Sequence, residues 1–241
     1  MDIEARKHIP RVKHDAFLEG VKDCVPTLLG YMSIGFAFGI VGISAELSIW
    51  DIALLSIFVY AGAAQFIICA LLVTGSPLSA IILTTFIVNL RHLLLSLTLA
   101  PHFTRYSTKQ NIGFGLLLTD ESFGVAMNKL AQQGKLNNRW MHGLNLTAYG
   151  CWIASCTLGG IFGHWISNPE ALGLDFALSA MFAALLILSL QTVPKNKLIH
   201  RLSLVLYMVI AMFILLHFVS SHVAVLIATV IVATIGVVTD K

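Results

Sequence analysis

Charge is scarce in this sequence: 15 Lys and Arg and 12 Asp and Glu amount to 11% of 241 residues, against roughly 25% in a soluble domain. That scarcity excludes an ordinary water-soluble enzyme or binding module. Prolines number six, and no long Ser/Gly-rich stretch interrupts the chain, which excludes a string of separately folding domains. The four cysteines, Cys24, Cys69, Cys151 and Cys156, show neither CxxC nor Cys/His ligand spacing. They read as small hydrophobes in apolar surroundings rather than as disulfide or metal ligands. HExxH, Walker A, GxGxxG and Gly-x-Ser-x-Gly patterns are all missing, so no metal or other cofactor is expected, no enzymatic nucleophile is visible, and the chain cannot itself use ATP. The net charge is only +3, with no basic cluster interleaved with aromatics, which argues against nucleic acid binding. The first 24 residues are polar and lack an apolar core and a small-residue cleavage site, so they do not read as a signal peptide.

What is present is apolar surface. Hydrophobic residues make up 57% of the chain, and mean hydropathy is +0.85. Eight candidate segments can be drawn, at Val25–Ala45, Ile49–Val73, Leu78–Ala100, Asn111–Ala131, Trp140–Ile166, Ala171–Leu190, Leu202–Phe218 and His222–Val238. About 20 apolar residues suffice to span a bilayer as a helix. The expected fold is therefore an all-α, polytopic membrane protein of about eight transmembrane helices. Residues 1–24 form a cytoplasmic N-terminal segment, and 25–241 form a single integral domain.

Lys and Arg orient the segments, since short cytoplasmic loops carry an excess of them. With eight spans, 12 basic residues fall inside and only Arg105 and Lys109 outside, Arg91 lying within the membrane. Both termini are then cytoplasmic in a multi-pass protein of the cell membrane. Segment four is the weak member, because Asp120 and Glu121 interrupt it; a seven-span alternative makes it re-entrant or interfacial. An internal duplication into two four-helix halves is suggested by the order Gly39-Ile40-Val41-Gly42 then Asp51-Ile52-Ala53-Leu54, which recurs as Gly160-Ile161-Phe162-Gly163 then Asp175-Phe176-Ala177-Leu178.

Near the middle of segment three stand Asn89, Arg91 and His92. A charge at that depth costs roughly 2.5–3.5 kcal/mol on insertion scales, which makes it a functional pointer. Thr85, Asn89, His92 and Ser96 share one helical sector, reading either as a substrate or proton pathway or as an interhelical hydrogen-bond seam. Arg91 points away from Asn89 and needs an acid, for which Asp120 and Glu121 are the best placed. In segment two, Gly62 and three alanines flank Gln65, and local unwinding there would offer backbone groups to a substrate; close helix packing is the bland alternative. The GxxxG spacings Gly35/Gly39 and Gly159/Gly163 read first as packing. His102, His142, His164, His200 and His222 lie at segment ends, where an amphipathic ring is comfortable.

The runs Ala61-Gly62-Ala63-Ala64-Gln65-Phe66, Val88-Asn89-Leu90-Arg91-His92-Leu93-Leu94, Ala100-Pro101, Thr119-Asp120-Glu121-Ser122 and Gly173-Leu174-Asp175-Phe176-Ala177-Leu178 together resemble the AzlC family. That resemblance covers most of the chain. It implies the large permease subunit of a bacterial branched-chain amino acid exporter, acting on Leu, Ile, Val and sometimes Met with a small AzlD-type membrane subunit. On that expectation Gln65, Asn89, Gly62 and Thr85 hold the substrate, and His92, Arg91, Asp120 and Glu121 provide proton coupling or an ion pair. The rival expectations are a channel or small-solute permease without gradient coupling, and an intramembrane enzyme or scaffold with no pathway of its own.

Overall fold

The computed structural model describes residues 16–166, 193–219 and 221–239, with isolated positions between 167 and 192, and all elements among the described residues are helical. In chain order they are α1 (Ala16–Ser44), α2 (Ile49–Phe58), α3 (Gly62–Val73), α4 (Leu78–Leu99, continued by a 3-10 turn Ala100–Phe103), α5 (Thr108–Leu116), α6 (Asp120–Gln133), α7 (Asn138–Gly163), α8 (Lys195–Leu215) and α9 (Ser221–Thr239). Four helices among the described residues are long and apolar enough to cross a membrane: Ala16–Ser44, Leu78–Phe103, Asn138–Gly163 and Lys195–Leu215. Segments two and four are each divided in two, as α2–α3 and α5–α6. Segment six lies largely outside the described residues, as does most of the second Asp-Phe-Ala-Leu run.

The core is the contact between α1 and α7. Gly20 packs on Trp140, Gly143 on Phe17, Gly35 on Ser155, Gly39 on Gly159 and Gly160, and Gly163 on Ile40. Residue numbers rise together along this contact, so the two helices run parallel. Glycine is needed here for close approach: a Cβ on Gly39 would stand 2.2 Å from the Cys156 carbonyl oxygen. The two GxxxG pairs thus serve packing, as small residues do where helix backbones meet inside a membrane. Phe38, Met141, Leu144, Cys24 and Cys156 fill the space around the contact, and all four cysteines are free of disulfides.

Near its start, ahead of the apolar run beginning at Val25, α1 is tied to α6. Lys129 Nζ donates to Glu19 and, at 2.9 Å, to Asp23. Trp140 Nε1 also donates to Asp23, at 2.8 Å, and the Lys129 ammonium lies over the Trp140 ring. By contrast, α4 and α8 show broad apolar faces outward, with Phe86, Leu93, Leu94, Val209 and Phe213 all exposed. In water such contiguous surface would drive association; against hydrocarbon it is at rest.

Candidate functional site: a cavity at two interrupted helices

The break between α2 and α3 centres on Tyr60, whose φ is +42°. That backbone region strains a bulky L-residue by roughly 1–3 kcal/mol, so its surroundings must hold it. The Tyr60 ring packs edge-on against Tyr149, with centroids 4.8 Å apart. Tyr149 Oη donates to the Ile57 carbonyl at 2.9 Å, satisfying one of the carbonyls freed at the end of α2. Gln65 staples the break from behind: its Nε2 donates to Ser56 of α2 at 3.2 Å, and its Oε1 accepts from Trp152 Nε1 of α7 at 2.9 Å.

The break between α5 and α6 is made by local chemistry that the sequence spells out. Thr119 caps α6 reciprocally with Ser122: Ser122 N–H donates to Thr119 Oγ1 at 3.2 Å, and Thr119 N–H to Ser122 Oγ at 2.9 Å. Asp120 and Glu121 fill the first turn, where the helix dipole favours negative charge. Tyr31, from the middle of α1, hydrogen-bonds Thr119 Oγ1 and donates to Glu121 Oε2 at 3.1 Å. From α4, Arg91 Nη1 meets Asp120 Oδ2 at 3.0 Å, each side chain about one quarter exposed (27% and 24%).

These pieces enclose one cavity. It is lined by Tyr31 and Ile34 of α1, Tyr60 to Ala63 at the first break, Arg91 and His92 of α4, Thr119 to Glu121 at the second break, and Trp152 of α7. The room for the centre of a water molecule is about 20 Å³, roughly what one or two waters occupy by that measure. A solute larger than that needs the lining to shift. The Tyr60 hydroxyl, beside that of Tyr31, and the Arg91 Nε are buried there without a well-aligned hydrogen bond among the described residues.

Of the residues expected from sequence, Gly62, Arg91, His92, Asp120 and Glu121 line this cavity. Gln65 does not; both ends of its amide are engaged in the staple. Thr85 and Asn89 lie earlier on α4 and also do not line it; Thr85 Oγ1 and Asn89 Oδ1 lack hydrogen-bond partners among the described residues. Ser96 faces Gly115 of α5. Tyr31, Ile34, Tyr60, Thr119 and Trp152 were not anticipated. For Tyr31 and Trp152 a signal existed: aromatic residues with polar tips favour membrane interfaces, and these two sit well inside long helices.

The family model described as AzlC protein matches residues 26–166, a stretch containing every residue of the cavity.

The chain belongs to the AzlC family.

The chain is similar to the inner membrane protein YgaZ of Escherichia coli, 32% identical over 73% of this chain and 74% of that protein. An uncharacterized membrane protein of Archaeoglobus fulgidus is 30% identical over 74% of this chain and 78% of its own length. The branched-chain amino acid transport protein AzlC of Bacillus subtilis is 28% identical, over 71% of this chain and 67% of that protein. No solved structure matches the chain. AzlC is thus a family of membrane transport proteins, and the long apolar helices here fit a multi-pass membrane location.

Proposed function

We propose that this AzlC-family chain exports branched-chain amino acids (Leu, Ile, Val and also Met) across the bacterial inner membrane, as the large subunit of a two-component secondary transporter with a small AzlD-type membrane partner. The observation that carries the proposal is the cavity at which two helices break and present their N-terminal turns beside an Arg91–Asp120 ion pair. Interrupted helices are tolerated at membrane depth where they are buried in protein or line a cavity, and transporters use them to meet charged substrates. An amino acid brings one charge of each sign, and the cavity wall does the same. The proton carrier is a titratable group of this wall: His92, Asp120 or Glu121.

The parallel course of α1 and α7 supports the eight-span arrangement. Parallel helices start on the same side of the membrane, so an odd number of crossings separates them. Passage through α2–α3, α4 and α5–α6 gives three; a re-entrant segment four would leave two. The same geometry fits a duplication with α1 and α7 as corresponding helices, and the basic residues then place both termini in the cytoplasm.

Reconstitution into liposomes with labelled leucine tests the function. Leucine is expected to accumulate against its gradient only when a pH gradient is imposed. Movement that merely equalises concentrations, whatever the pH gradient, would assign a channel or uncoupled permease instead. No movement of leucine in the presence of a small partner subunit would sink the proposal.

A further inference from the structure

We infer that the first turn of α3, together with the Tyr60 hydroxyl, forms the subsite for the substrate's carboxylate, and that Glu121 receives its ammonium group. This rests on the amino acid transport proposed above and assigns the two ends of the molecule within that site.

The first turn of α3 holds donors without acceptors. The helix begins its own bonding with Gln65 N–H to the Ala61 carbonyl at 2.9 Å, so the amides of Gly62, Ala63 and Ala64 precede any intrahelical partner. Ala61, at the capping position, has no side-chain acceptor. Helices α2, α5, α6 and α7 each start with a side-chain cap. The α3 start has none, and neither do the starts of α4 and α8 at Pro77 and Pro194, but those two are exposed whereas α3 begins buried: Ala61 is 3% exposed, and Ala63 and Ala64 are fully enclosed. Such amides carry about half a positive charge in sum and suit an anion.

The second observation is independent of the helix. Tyr60 is 6% exposed and lines the same cavity; its hydroxyl lies beside that of Tyr31 but completes no well-aligned hydrogen bond among the described residues. A phenol so enclosed costs free energy unless something bonds to it. A carboxylate has lone pairs enough for this hydroxyl and two backbone amides together.

The charges of the wall settle which end goes where. Arg91 is paired with Asp120 at 3.0 Å. Glu121 accepts from Tyr31 but has no basic side chain within ion-pair distance among the described residues. His92 also lines the cavity, and it is the remaining titratable neighbour from α4. Glu121 therefore remains the anionic group able to accept an ammonium. A solute lacking its carboxylate leaves the α3 amides and Tyr60 unmet, whereas one lacking its amine leaves Glu121 unmet. Selection of zwitterions follows.

The test uses the full-length chain purified in detergent, titrated with leucine and with leucinol, which keeps the amine and side chain but lacks the carboxylate. Wild type is expected to bind leucine more tightly than leucinol. Tyr60→Phe removes one oxygen whose neighbour among the described residues is the Tyr31 hydroxyl, itself also bonded to Thr119 and Glu121, so the fold should survive, as a thermal melt would verify. That variant is expected to bind leucine about tenfold more weakly, the loss of one hydrogen bond to a charged group, with a smaller loss for leucinol, whose neutral hydroxyl accepts a weaker bond. Glu121→Gln should weaken both. Unchanged leucine affinity in Tyr60→Phe, or an equal loss for leucine and leucinol, overturns the assignment while leaving amino acid transport intact. A wild-type chain that binds neither, alone and together with a small partner subunit, overturns both.

Discussion

Gly159→Ala is expected to lower both membrane accumulation and melting temperature. The new Cβ would stand 2.1 Å from the Phe36 carbonyl oxygen and 2.8 Å from the Phe36 Cα, both of them backbone atoms of α1. A side chain can swing aside, but a helix backbone must move as a unit. Overpacking of this kind costs roughly 1–3 kcal/mol and sometimes more. Here it would also separate the helices that carry Tyr31 and Trp152 to the cavity. Gly150→Ala is the matched control, since nothing among the described residues lies within 4 Å of its Cβ position on the same helix. Equal melting and expression of the two variants in detergent would show that the α1–α7 contact is looser than described.

Arg91→Ala is expected to reduce leucine transport sharply, and Asp120→Ala in the same chain to restore part of it. Removing one partner of a buried pair leaves an uncompensated charge, which costs about 3–5 kcal/mol in a fully buried site. Partial exposure of both side chains lowers this to roughly 1–3 kcal/mol, between the buried and surface cases. Asp120→Ala alone leaves Arg91 to seek Glu121, so the loss in that variant should be smaller. A double-mutant cycle read on transport and on melting temperature checks the coupling. Strictly additive effects would mean that the 3.0 Å contact carries no energy of consequence.

Much of this site was legible because charge inside a membrane is expensive. Arg91, Asp120 and Glu121 stood out against an apolar background, and the structure brings Arg91 to Asp120 rather than leaving it to lipid. The run of small residues around Gly62 marked the place where a helix stops, and Thr119-Asp120-Glu121-Ser122 spelled out a helix start in the middle of segment four. The aromatic residues were harder. Tyr31, Tyr60 and Trp152 are ordinary members of an apolar run until the fold brings all three to one cavity. Gln65 shows the opposite limit: a buried amide advertises hydrogen bonding but not its partner, and Ser56 and Trp152 come from elements distant in sequence. Helical periodicity placed Thr85, Asn89, His92 and Ser96 on one face. It carries no information about how far along that face the cavity extends, and only His92 of the four reaches it.

Protection of a cysteine at Ile34 by substrate tests most directly whether this cavity is the transport site. Cys24, Cys69 and Cys156 are buried, so Cys151→Ser leaves a quiet background in which Ile34→Cys is the reactive thiol. In cycling protein reconstituted in liposomes, a membrane-impermeant thiol reagent should label that position, and saturating leucine should slow the labelling at least about tenfold as it occupies the cavity. Labelling that proceeds at the same rate with and without leucine, in protein that transports leucine, would place the substrate elsewhere.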